Sequence, residues 1–163
     1  MATTTFTSVT KLVRAIGNWC IAVLLRSPFH GLLSRTMLLI SFAGRRSGKT
    51  YTLPVNYARD GEAIVIVSRA DRSWWRNLRG GAPVWVRVQG KNLTGYAESF
   101  ETPTVVAAEL LALLRQTPAF RKHVGIALTA DGQPERPDDL AQLAQGRVSV
   151  RITDLVVEPA LEV

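Results

Sequence analysis

Apolar residues along the chain fall first at helical spacing and then at strand spacing. Between residues 8 and 25, Val9, Leu12, Val13, Ile16, Trp19, Cys20, Val23 and Leu24 recur every three or four positions, the period of one helix face. Ser8 offers an N-cap and Ser27-Pro28 a stop, and a second short helix is expected near residues 30–35. From residue 37 the pattern changes. The segment 37–43 (MLLISFA) is almost wholly apolar, as expected of a strand buried on both faces. The next run, 51–58, contains Pro54 and so reads as an edge or bulged strand. Arg59-Asp60-Gly61 is a hairpin turn leading into the β-branched run 63–68. A loop and short helix over 71–78 end in Gly80-Gly81, residues 84–89 alternate as VWVRVQ, and Gly90-Lys91-Asn92 turns the chain into 93–100.

After Pro103 the spacing returns to helix through about Gln116, with Leu110, Leu111 and Leu114 on one face. A polar, turn-rich loop over 130–137, a short helix over 138–145 and a closing strand over 148–152 complete the pattern. Short strands linked mostly by hairpins, with helices at the flanks, predict a mainly β, α+β fold: a six-stranded, mostly antiparallel, closed or nearly closed barrel. We expect one domain, with residues 1–35 forming a helical segment packed on a barrel of residues 36–163.

Charge adds what periodicity leaves out. The formal net charge is +7 over 163 residues, but residues 1–91 hold 14 Lys and Arg against 3 Asp and Glu, a net of +11. Residues 92–163 hold 6 against 10, a net of −4. A field of that shape attracts a polyanion, whether nucleic acid, anionic lipid or a cofactor with a phosphate-bearing tail. With 47% hydrophobic residues the chain is globular rather than disordered. The single cysteine, Cys20, excludes an internal disulfide framework and favours a reducing, cytoplasmic setting. The apolar run 19–25 has 7 residues before Arg26, against about 20 for a bilayer span, and no small-residue cleavage site follows it. This leaves open a surface-lying amphipathic helix touching a membrane peripherally.

Three segments carry candidate chemistry. In Gly44-Arg45-Arg46-Ser47-Gly48-Lys49-Thr50, glycines bracket a turn from which cations and hydroxyls project. Backbone N–H groups and guanidinium forks of this kind suit a phosphate or carboxylate. A Walker loop would need a glycine where Ala43 stands. The plain alternative is a solvated basic turn. In Ser68-Arg69-Ala70-Asp71-Arg72-Ser73-Trp74-Trp75-Arg76-Asn77-Leu78, Ser73 is placed to cap a helix whose adjacent tryptophans point about 100° apart. One can then fill the core while the other lines a pocket, unless both simply pack. On the strand leaving the basic turn, alternation puts Pro54 and Asn56 on one face and Val55 and Tyr57 on the other. An inward-facing Asn56 needs polar partners, from the protein or from a ligand. His30 and His123 have no carboxylate or thiol at ligand spacing, and Cys20 has no paired histidine nearby in sequence. The chemistry must therefore come largely from a borrowed cofactor.

The stretch 38–97, with its G-R-R-S-G-K-x-Y-x-x-P core, R-D-G hairpin, S-R-x-x-x-S-W-W-R-N-L segment and G-G-A-P-V strand start, resembles the deazaflavin (F420)-dependent nitroreductase and quinone reductase family of the split β-barrel flavin-binding superfamily. The resemblance implies a reductase that passes a hydride from reduced F420 to a quinone, nitro or other conjugated organic acceptor. It implies that Arg45, Arg46 and Ser47, with Lys49 beside them, grip the phosphate and oligoglutamate tail. Pro54 and Asn56 would stand beside the deazaflavin ring, and Ser68 and Arg69 would contact ring or phosphate. Trp74, Trp75 and Asn77 would wall the pocket. Ser68 and Asn56 are the catalytic candidates, Ser68 as a donor to charge developing on the acceptor. The family's well-studied nitroreductases carry a tyrosine where this chain has Asn56, and further tyrosines near the C-terminus. Here the three tyrosines are Tyr51, Tyr57 and Tyr96. Split barrels of this superfamily are often homodimers, so a homodimer is expected by analogy.

Two other readings compete. The same fold can hold FMN, haem or another tetrapyrrole without F420 turnover. A basic nucleic-acid module is disfavoured, because the tryptophans lie beside a polar loop and form no stacking ladder along a strand.

Overall fold

The computed structural model describes residues 35–158, so the expected N-terminal helices, with Cys20 and His30, lie outside the described residues. Strands β1 (Met37–Ala43), β2 (Thr50–Asn56), β3 (Ala58–Asp60) and β4 (Ala63–Arg69) come first. A 3-10 helix (Trp74–Leu78), β5 (Ala82–Val88) and β6 (Lys91–Phe100) follow. Helices α1 (Pro103–Gln116), α2 (Pro118–Val124) and α3 (Pro137–Gln145) lead to the closing strand β7 (Arg147–Val157).

The sheet has seven strands rather than six, in the order β2-β1-β5-β6-β7-β4-β3, and every neighbouring pair is antiparallel. The extra strand comes from a break in the run expected over 51–58. Thr50 to Asn56 pair with β1, and Ala58 to Asp60 pair with β4 at the other edge. Tyr57, between them, donates its N–H to the Thr36 carbonyl (3.0 Å) and buries its ring in the core. The ends of the strand order are thus joined through one residue, and the sheet rolls towards a barrel. Pro54 sits on an edge strand, where its missing N–H costs no ladder bond.

Alternation decides what fills the interior. Leu38, Ile40 and Phe42 of β1, Ile64 and Ile66 of β4, Val84, Val86 and Val88 of β5, and Val148, Val150 and Ile152 of β7 form one buried cluster. On the outer face, Leu110 and Leu114 of α1 join Leu140 of α3 and Ile126, just past α2, in a second cluster that Val67 of β4 packs against. That helical cover explains why β4 is apolar on both sides. Strand β7 runs 11 residues, well past the five expected over 148–152. It is accommodated by a register shift opposite Thr94 and Tyr96, near Asp154 at φ 51°.

Candidate functional site

The turn at 44–48 is closed by two backbone bonds, Gly44 N–H to Lys49 O (2.8 Å) and Gly48 N–H to Gly44 O (2.7 Å), with Gly48 at φ 64°. Gly44 has no room for a side chain. A Cβ there would lie 2.6 Å from the Tyr51 ring and 2.8 Å from Ser47 Oγ. Tyr51 stacks on Phe42 at 6.0 Å between centroids, and Phe42 meets Trp74 at 5.9 Å. This aromatic row lines a cavity of about 320 Å3 together with Arg46, Ser47, Leu53 and Asn77.

Arg45 takes a different part. Its N–H donates to Asn77 Oδ1 (3.0 Å), its Nε to the Asn77 carbonyl (3.0 Å) and its Nη2 to the Arg79 carbonyl. These are carbonyls at the end of the 3-10 helix, which have no partner within a helix of five residues. Arg45 is the clasp that fixes the turn against that helix. Lys49 projects into solvent and lines neither this cavity nor the next.

Around the adjoining rim lies a larger cavity of about 550 Å3. Pro54 and Asn56 of β2, Ser68 and Arg69 of β4, and Arg72 line it together with Thr117, Phe120 and His123 beside and on α2, and Arg147 of β7. The two cavities share a wall. Trp74, in the smaller one, donates its indole Nε1–H to Oγ of Ser68, in the larger one, at 3.1 Å, and Leu53 and Pro54 divide between them. Ser68 is only 7% exposed, and its hydroxyl faces the Arg69 carbonyl at 3.4 Å. A contact that long is a weak bond, so the hydroxyl hydrogen can turn to a ligand.

Trp75 lines neither cavity. Its ring is 2% exposed in the barrel core, with the Arg76 and Arg79 guanidinium groups 5.3 and 4.8 Å from its centroid. Arg79 is held in turn by Glu101 at 2.8 and 2.9 Å, a hydrogen bond that raises the arginine above its ordinary pKa. Adjacent indoles on one helical turn have therefore divided into one core residue and one cavity residue. Ser73 stands at the N-cap position without a side-chain capping bond, leaving the cap to the Arg76 N–H and the Ser73 carbonyl.

The electrostatics of the larger cavity are one-sided. Among the described residues three arginines, Arg69, Arg72 and Arg147, line it together with His123, and no carboxylate does. Arg69 is paired with Asp71 at 2.6 Å. Arg147 lies 5.9 Å over the Phe120 ring, and its Nε is buried without a hydrogen-bond partner. Burial, and then the charge of Arg69, pull its pKa below the ordinary arginine range. Sequence alone missed Phe120 and His123 as cavity residues because the short helix α2 was not expected, and Arg72 and Arg147 because only the packing of a loop and of β7 at the rim brings them there. The signals of α2 were present: Pro118 at the first helical position and Gly125 just past the end at φ 70°. Among the described residues no three His, Cys, Asp or Glu side chains stand together as a metal site.

These features fit a ligand that has both a flat ring and an acidic tail. A glycine-framed turn offers Arg46 and Ser47, and an aromatic row flanks it; in the neighbouring cavity the Arg147 Nε, buried without a partner, leaves donor capacity for a separate group.

Residues 28–124 match a family model described as F420H(2)-dependent quinone reductase. No curated protein matches the chain. Solved structures share its fold at low identity. The conserved hypothetical protein Rv2991 from Mycobacterium tuberculosis is 17% identical, with 75% of this chain and 74% of that chain covered, at a TM-score of 0.50. A chain described as a domain-swapped dimer is 17% identical, with 88% and 98% covered, at 0.51. The protein Atu2129 from Agrobacterium tumefaciens is 14% identical, with 82% and 58% covered, at 0.50.

Proposed function

The chain belongs to the F420H(2)-dependent quinone reductase family, and on that premise we propose that the two adjoining cavities hold F420 across their shared wall and admit a small conjugated acceptor beside its ring. The observation that carries this is the Trp74–Ser68 bond, which ties a wall residue of the cavity beside the arginine-bearing turn to a wall residue of the larger cationic cavity.

Bound there, reduced F420 supplies a hydride. Arg46 and Ser47 bind the acidic tail at the turn, and Arg45 keeps that turn docked on the 3-10 helix rather than gripping the tail itself. Pro54 and Asn56 lie along the ring, and Trp74 closes one side of it. Ser68, oriented by Trp74, turns its hydroxyl hydrogen towards the acceptor oxygen on which negative charge develops. Asn56 contributes a second donor in the same cavity. The acceptor is a quinone, a nitro compound or another conjugated organic molecule. A homodimer is part of the same proposal, supported by the exposed Trp85, Tyr96, Val156 and Val157 and by the domain-swapped arrangement described for one structural neighbour.

Purified protein given reduced F420 and 2-methyl-1,4-naphthoquinone should regenerate the 420 nm absorbance of oxidised F420 faster than a protein-free control. Absence of turnover with quinone and nitroaromatic acceptors alike, under conditions where F420 binds, would overturn the reductase assignment.

A further inference from the structure

Arg69 of β4 and Arg147 of β7 are direct partners across an antiparallel pair. Like charges placed opposite each other in a sheet are destabilising, and proteins relieve the pairing with a counter-ion. Arg69 has its own, in Asp71. Arg151, four residues along the same strand, has two, in Asp60 and Glu109. Arg147 has no ion pair among the described residues, and its Nε is buried without a partner at the edge of the larger cavity, beside the flat face of Phe120. Arg72 lines the same cavity, and no carboxylate among the described residues does.

We propose that this corner selects the acceptor: the molecule reduced is itself an anion, a conjugated or aromatic carboxylate, whose charge is taken by Arg147 and Arg72 while Phe120 covers its ring. This rests on the reductase reading above and narrows its substrate class. The anionic tail of F420 carries the same chemistry, but its anchor belongs to the turn bearing Arg46 and Ser47. Moreover Arg147 lies beyond the segment 28–124 that matches the family, whereas a cofactor common to the family is expected to be held within that segment. In the reaction the acceptor gains a hydride from F420H2 and a proton from water. Reduced F420, when bound, would supply that hydride and release one proton, so atoms and electrons balance. The acceptor's carboxylate is unchanged and serves only to place its reducible bond against the ring.

The test compares 4-nitrobenzoate with its neutral methyl ester, by calorimetric titration of the whole protein with and without saturating oxidised F420. The acid should bind about tenfold more tightly than the ester in both conditions, the scale of one charge-assisted, partly desolvated contact. Arg147→Gln should bring that ratio to about one, and Arg72→Gln should lower it about threefold, while both variants bind F420 within about twofold of the parent protein. Equal binding of acid and ester to the parent protein would overturn the proposal. So would competition between nitrobenzoate and F420 accompanied by loss of F420 affinity in Arg147→Gln, which would make Arg147 a tail anchor. If F420 fails to bind while the acid preference and its loss in Arg147→Gln persist, the anion site stands and the cofactor assignment falls.

Discussion

Trp74 and Trp75 show how little separates a structural residue from a site residue. They are neighbours in sequence, yet one closes a cavity and bonds Ser68 while the other is sealed in the core. Trp75→Ala should cost roughly 3–5 kcal/mol and lower the melting temperature by about 10 °C, with the F420 affinity of the remaining folded protein unchanged; differential scanning calorimetry and a titration well below the transition read the two effects apart. Trp74→Phe keeps a ring but removes the indole N–H that donates to the Ser68 hydroxyl oxygen. It should leave melting within about 2 °C and weaken F420 binding about fivefold. Arg45 and Arg46 divide in the same way. Arg46→Ala should raise the F420 dissociation constant about tenfold without changing thermal stability, since its guanidinium lines the small cavity. Arg45→Ala should lower both stability and affinity, because it releases the turn from the ends of the 3-10 helix.

At the scale of elements, strand β7 is held from its outer face by Arg151, which reaches Asp60 on β3 and Glu109 on α1 at 2.6 Å. Hydrogen bonds to both carboxylates, Asp60 first, raise the arginine's pKa. Arg151→Met would leave Glu109, only 8% exposed, without its counter-charge. The expected loss is about 2–3 kcal/mol, measured by urea denaturation, and Arg151→Lys should recover part of it. The elements themselves were largely legible in the sequence, because inward and outward alternation in runs such as VWVRV leaves one register that buries the apolar set. What escaped notice was tertiary. Nothing local in the run 51–58 marks Tyr57 as the point where the chain leaves β1 for β4, since its N–H partner is the carbonyl of Thr36, from a distant segment. The length of β7 depends on a bulge opposite Gly95, where an added Cβ would lie 2.9 Å from the Thr153 carbonyl. Helix α2 is hard to read in sequence because its seven residues offer only Phe120 and Val124, both half-buried against the second cluster, as an apolar side.

For the whole molecule, the uneven charge of the sequence finds a partial explanation in the site. Arg46, Arg69 and Arg72 come from the basic half, and Arg147 from the acidic half completes the cationic corner. The first half of the site was readable as motif, since a glycine-bracketed arginine turn and a tryptophan-bearing loop have local signatures. The second half was not, because Phe120, His123 and Arg147 meet the rest only through packing of α2 and β7 on the rim. A field of this kind should make cofactor binding salt-sensitive, so raising sodium chloride from 20 to 500 mM should weaken it about tenfold. The most direct check on F420 spanning both cavities is titration of the protein into oxidised F420, followed by quenching of its fluorescence, with FMN and haem titrated in parallel. Saturable quenching with a dissociation constant on the order of 1 µM, weakened in Arg46→Ala and Trp74→Phe but not in Trp75→Phe, is the expected result. An absence of F420 quenching in a protein that saturates with FMN or haem would contradict it.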